Sequence, residues 1–132
     1  MKKILILCTG NSCRSIIAEA MVNNYLENIS AFSAGAKPAK NVHPFAKKVL
    51  IEEGIWSDTL YSKSVDNFVK DYFDMVLTVC DNAKETCPIF PNAKKIAHFP
   101  LNDPDGKPYN EFVKIKNKIK EKLLPFISHC LT

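Results

Sequence analysis

The chain has 132 residues, 46% of them hydrophobic and 24% charged, with a formal net charge of +4. That length suits one domain, residues 1–132, built around a single core. No apolar run approaches the roughly 18 residues of a bilayer-crossing helix, and the short Ile4–Leu7 stretch before Cys8 falls below the roughly 7–15 apolar residues of a secretory signal. A cytoplasmic protein is therefore expected.

In chain order, Lys3–Leu7 reads as a buried strand, followed by a tight loop. A helix from Ser15 to Leu26 comes next, with Ile17, Met21 and Tyr25 recurring every four residues. Ala31–Gly35 reads as a second strand and Lys37–Val42 as a loop. A helix then starts near Pro44, runs to Glu53 and stops at Gly54. Ser57–Ser64 is a polar connection, and Val65–Tyr72 a further short helix. Asp74–Val79 is a strand capped by Cys80, and Lys94–Phe99 a fourth. Pro100–Pro108 is loop. The last helix spans Asn110–Ser128, with Phe112, Ile115, Ile119, Leu123, Phe126 and Ile127 on its core face; Pro125 should kink or end it. Alternating strands and helices argue for an α/β fold with a parallel sheet and helices on both faces. Lys114, Lys118 and Lys122 share one face of the last helix and read as solvated. Without interleaved aromatics or a nucleic-acid motif, neither DNA nor RNA is an expected partner.

Chemistry concentrates in Cys8-Thr9-Gly10-Asn11-Ser12-Cys13-Arg14-Ser15, between the first strand and the first helix. Strand, tight loop and helix N-terminus make a cradle in which successive backbone N–H groups surround a tetrahedral oxyanion. The same field favours a thiolate at Cys8, and the Arg14 guanidinium can grip two oxyanion oxygens at once. Thr9 through Ser15 are the candidate oxyanion-binding residues and Cys8 the candidate nucleophile. The side chain of Cys13 is expected to point back toward the core.

Five cysteines in a cytoplasmic chain are unsuited to a structural disulfide framework. Cys80, like Cys8, follows an apolar strand at its carboxyl end, the edge where open α/β sheets bind ligands. Cys87 follows after six mostly polar residues. Seven residues of helix rise about 10.5 Å, whereas a disulfide needs Cα atoms about 4.4–6.8 Å apart. Bonding Cys80 to Cys87 would thus require the turn between them to unwind. Asp103, in the Asp-Pro pair after the fourth strand, is a candidate general acid; Asp105 is an alternative from sequence alone. Cys130, Trp56 and Phe68 read as packing residues, and His98 as a hydrogen-bonded core histidine. Cys-x6-Cys is loose for zinc, and no metal or cofactor is expected.

Together, the Cys8–Ser15 run, Ser33-Ala34-Gly35, Cys80-x6-Cys87-Pro88 and Asp103-Pro104-Asp105-Gly106-Lys107 resemble the thioredoxin-coupled arsenate reductases of the low-molecular-weight tyrosine phosphatase superfamily. The resemblance implies a three-layer fold with a four-stranded parallel sheet of order 2-1-3-4. It also implies arsenate as substrate, thioredoxin as reductant, and a relay from Cys8 through Cys80 to a Cys80–Cys87 disulfide, with Arg14 and Asp103 catalytic. Some members of the family bind potassium through positions resembling Asn11, Glu19 and Ser33 together with a threonine and an acidic residue. Here Tyr61-Ser62-Lys63-Ser64 lacks that carboxylate, and Lys63 can supply positive charge instead. A phosphatase acting through Cys8, Arg14 and Asp103 is the alternative, although the aromatic residues phosphatases typically carry after Asp-Pro are replaced here by Asp105-Gly106-Lys107. A monomer is expected.

Overall fold

The computed structural model describes residues 1–80, 90 and 93–131, Cys80 by its backbone alone. Four strands, β1 (Lys2–Cys8), β2 (Ile29–Gly35), β3 (Met75–Cys80) and β4 (Ile96–Leu101), form one parallel sheet. Its order is β2-β1-β3-β4, as expected. The helices are α1 (Arg14–Tyr25), α2 (Pro44–Glu53), α3 (Tyr109–Lys118) and α4 (Leu124–Leu131).

β1 lies inside the sheet, which is why its sequence is apolar on both faces. Ile4 and Ile6 enter the larger core with Ile16, Ile17 and Met21 of α1, Val49 and Leu50 of α2, and Phe112, Ile119, Leu123 and Ile127 of the C-terminal helices. Leu5 and Leu7 enter a second core with Val65, Val76, Phe73 and Phe90. That second layer includes a 3-10 helix, Val65–Phe68, capped by the Ser64 hydroxyl accepting from the Asp66 N–H. Each fully buried aliphatic chain contributes roughly 1.5–3 kcal/mol of transfer free energy. Because β1 pairs with β2 on one side and β3 on the other, chain direction across the sheet reverses at β1/β3. Ligand crevices form outside strand carboxyl ends at such a point.

Several boundaries depart from expectation. β4 begins and ends two residues later than Lys94–Phe99 and includes Pro100. Thr78 pairs with His98 but Cys80 with Leu101, so three residues of β4 oppose two of β3 there. Pro is tolerated at such a bulge on an edge strand, where its missing N–H breaks no regular ladder. On this edge His98 is exposed rather than in the core, although its Nδ1 lies 2.6 Å from the Thr78 hydroxyl. The short helix expected to reach Tyr72 stops at Phe68. Pro125 does not end the last helix, but the α-helical run is broken just before it. A π-helical turn, Ile119–Leu123, precedes α4, with the Leu124 N–H bonded to the Ile119 carbonyl. That wider turn admits the proline ring, which would clash with an ordinary helical turn. Tyr25 is 41% exposed instead of joining Ile17 and Met21, and its hydroxyl donates to Glu53. Trp56, Phe68 and Cys130 are half-buried packing residues, as expected.

Candidate active site

Cys8 ends β1 with 2% of its surface exposed. Its sulfur accepts the Asn11 N–H at 3.2 Å and lies 2.9 Å from the Ser15 hydroxyl. Donors aimed at the sulfur stabilise negative charge on it.

The loop owes its shape to what binds its outer side. The Thr9, Gly10 and Ser12 carbonyls accept the N–H groups of Lys37, Ala39 and His43 at 2.9, 2.8 and 3.0 Å. Those bonds hold the loop in a curl, and a run of peptide amides in a curled loop is what an anion nest needs. Asn11 adopts φ 49, a left-handed conformation that asparagine tolerates better than most residues. Its buried side chain donates to the Ser15 hydroxyl at 2.7 Å and accepts the Lys63 N–H at 2.8 Å, bolting the loop to the segment beside β2.

α1 begins at Arg14, one residue earlier than read from the sequence. Cys13, its N-cap, makes no side-chain hydrogen bond to the first turn, and no acidic residue lies there. The positive helix end is therefore open to an anion. Cys13 is buried, and burial pushes its thiol up to about 12, which makes it inert beside Cys8. Arg14 is 7% exposed; its Nη1 donates to the Leu101 carbonyl at 3.1 Å, and its Nη2 stands 3.8 Å from Asp103 Oδ2. Its buried Nε has no hydrogen-bond partner among the described residues. A buried guanidinium N–H without a partner is costly, and a bound oxyanion would satisfy it.

Cys8, Thr9, Gly10, Ser12, Cys13, Arg14, Ala39, Asp103 and Asp105 line a cavity of about 260 Å³. Six of the sequence-derived residues thus meet around it, together with Asp103, while Asn11 and Ser15 support it from behind. A larger hollow, about 530 Å³ between Met1, Asn28 and Leu131, has neither cysteine nor arginine in its lining. Both acidic candidates reach the site, but Asp105 Oδ1 lies 3.3 Å from His43 Nε2, whereas Asp103 faces Arg14.

Cys80 closes β3, the strand hydrogen-bonded to β1. Thr78 is level with Leu7, so Cys80 lies one residue further along its strand than Cys8 does along β1. Cys87 and the turn leading to it lie outside the described residues.

Sequence reasoning missed the close approach at Gly35 and the place of His43, whereas Lys63 was read as a positive charge in this neighbourhood, and the structure puts one there. The Lys63 ammonium is buried 3.5 Å from Glu19, donates to the Tyr61 carbonyl at 2.7 Å, and Glu19 also accepts from the Ser33 hydroxyl. Burial raises Glu19 and lowers Lys63, and each charge is supported by the other. Among the described residues no cluster of three or more His, Cys, Asp or Glu could hold a metal ion.

The sequence pattern described as low molecular weight phosphotyrosine protein phosphatase matches residues 3–130. Arsenate reductase 2 of Staphylococcus epidermidis is 35% identical over 125 residues, 95% of each chain. A solved arsenate reductase in a phosphate-binding state superposes with a TM-score of 0.83 at 29% identity, covering 98% of this chain and 99% of that one. The YwlE arginine phosphatase of Geobacillus stearothermophilus superposes at 0.78 with 26% identity, covering 99% and 93%.

Proposed function

The chain belongs to the low molecular weight phosphotyrosine protein phosphatase family, and within it we propose that it is an arsenate reductase: a cytoplasmic, monomeric enzyme of one domain, residues 1–132, recharged by thioredoxin. The observation that carries this reading is the bowl itself. A sulfur held by two hydrogen bonds lies at its floor, and a buried arginine N–H without a partner among the described residues lines its wall. Likeness to arsenate reductases over 95% of the chain directs that chemistry toward arsenate.

The proposed sequence begins with the Cys8 thiolate attacking arsenic(V) while the loop amides and Arg14 hold the remaining oxygens. A sulfur–arsenic bond forms, and Asp103 protonates the departing hydroxyl, which leaves as water. Cys80 as thiolate then attacks the Cys8 sulfur. A Cys8–Cys80 disulfide forms, the sulfur–arsenic bond breaks, and its electron pair goes to arsenic, so arsenite departs. Cys87 attacks Cys80, freeing the Cys8 thiolate and leaving a Cys80–Cys87 disulfide for thioredoxin. The Cys87 step and the handover to thioredoxin are thiol–disulfide exchange by an attacking thiolate. The adjacency of β1 and β3 supports the second step, since neighbouring strands run about 4.8 Å apart.

A second reading, a low-molecular-weight protein tyrosine phosphatase using Cys8, Arg14 and Asp103, is favoured by the bowl's fit to any tetrahedral oxyanion and by the likeness to an arginine phosphatase. It leaves the Cys80 and Cys87 pair without a task. The deciding assay follows arsenate-dependent NADPH consumption with thioredoxin and thioredoxin reductase. Wild type is expected to turn over continuously and Cys87→Ser at most once. If both are inert with arsenate yet hydrolyse an aryl phosphate equally, the phosphatase reading replaces this one.

A further inference from the structure

His43 joins three parts of the site at once. Its backbone N–H donates to the Ser12 carbonyl on the outer side of the bowl. Its ring Nδ1 accepts the Phe45 N–H at 3.0 Å, capping α2, and its Nε2 lies 3.3 Å from Asp105 Oδ1. The ring packs against Phe112 and Phe45, with centroids 4.6 and 5.6 Å away. A nitrogen that accepts a backbone N–H carries no proton, so the neutral ring holds its proton on Nε2, the nitrogen that faces Asp105.

We propose that His43 is a positioning residue that engages the Asp105 carboxylate and so leaves Asp103 as the carboxyl available to the bound oxyanion. The turn transmits the constraint: the Asp105 N–H donates to Asp103 Oδ1 at 3.0 Å, and the other Asp103 oxygen faces Arg14. Both carboxylates border the cavity, and the His43 contact breaks their equivalence. Asp103 and Asp105 are both exposed, although Pro104 between them is buried. A tether from the packed N-terminus of α2 therefore reduces the freedom the turn must lose in the transition state. The proposal rests on the reading of Asp103 as general acid.

The test combines a double-mutant cycle with a direct readout of the ring. Asparagine caps helices well, so His43→Asn is expected to keep the fold while releasing Asp105. In wild type, kcat is expected to fall about 10-fold on His43→Asn, a part of the 10²–10⁴-fold a general acid supplies, with KM for the oxyanion within about twofold. In an Asp103→Asn background the same change is expected to cost nothing further, because the group it positions is gone. Nitrogen-15 NMR of the full chain should find His43 protonated at Nε2 and bare at Nδ1. Equal losses in both backgrounds, an unchanged kcat, or an Nδ1–H tautomer would overturn the proposal. Running the cycle on both arsenate and an aryl phosphate separates the two ideas. Activity confined to the ester ends the reductase reading while the cycle still judges His43; with neither substrate turned over, the tautomer alone decides.

Discussion

A Cβ on Gly35 would stand 2.6 Å from the Thr9 carbonyl oxygen and 3.0 Å from the Asn11 amide nitrogen. Both are backbone atoms of the bowl, so neither can yield without moving the oxyanion's donors. Gly35→Ala is expected to cost ~1–3 kcal/mol by overpacking, measured by urea unfolding, and to weaken oxyanion binding in parallel. Lys63 poses the opposite problem, removal rather than crowding. In Lys63→Met the Glu19 carboxylate stays buried beside Ser33 without its cation, and stability at pH 7 is expected to drop by ~3–5 kcal/mol. Adding Glu19→Gln should recover most of that loss; a double variant no better than the single one would count against the ion pair. At this scale the sequence announced the groups that perform chemistry, Cys8 and Arg14, because a nucleophile and an arginine at that spacing have few other uses. Gly35 carried no comparable signal, since its role depends on which backbone lies opposite it.

Elements are tied together by α2. Its Glu53 accepts hydrogen bonds from Tyr25 of α1 and Lys120 of the π-helical turn, and pairs with Lys116 of α3 at 3.3 Å. Tyr109 adds a hydrogen bond to Glu52, and burial together with that carboxylate pushes its hydroxyl up to about 12. The Lys120 and Tyr25 hydrogen bonds hold Glu53 down at about 2, below its ordinary 4.5. A carboxyl depressed in the folded state stabilises it fully above 4.5, and that contribution fades as pH falls toward 2. Glu53→Gln is therefore expected to lower Tm at pH 7 by ~2–5 °C, as for a networked surface pair. The gap to wild type should close in melts near pH 2; a gap independent of pH would sink the assignment. Helix and strand positions were legible here to within a few residues, because apolar periodicity is local. Both prolines sit where regular geometry gives way: a π turn precedes Pro125, and a bulge takes Pro100 into β4 rather than the loop expected there.

For the whole molecule, an oxyanion in the bowl links β1, α1, β4 and the Lys37–His43 segment, so occupancy should register as global stability. In Cys8→Ser, which cannot react, millimolar arsenate or phosphate is expected to raise Tm progressively, following the ~2.7 kcal/mol that a ligand at 100 times its Kd contributes. Adding Arg14→Ala should flatten that response, as followed by calorimetry; an undiminished shift would place the anion elsewhere. By itself the sequence determined the α/β alternation, the nucleophilic loop and the cysteine inventory, because strand period, helix period and motif spacing are written in neighbouring residues. The strand order came only with the family resemblance. Tertiary structure alone decided that the Lys37–His43 backbone binds the loop carbonyls, that Lys63 stands against Glu19, and that His43 faces Asp105 while Arg14, reaching the Leu101 carbonyl, faces Asp103. Those pairings join residues tens of positions apart, and their energies exist only once the sheet has brought them within hydrogen-bond reach.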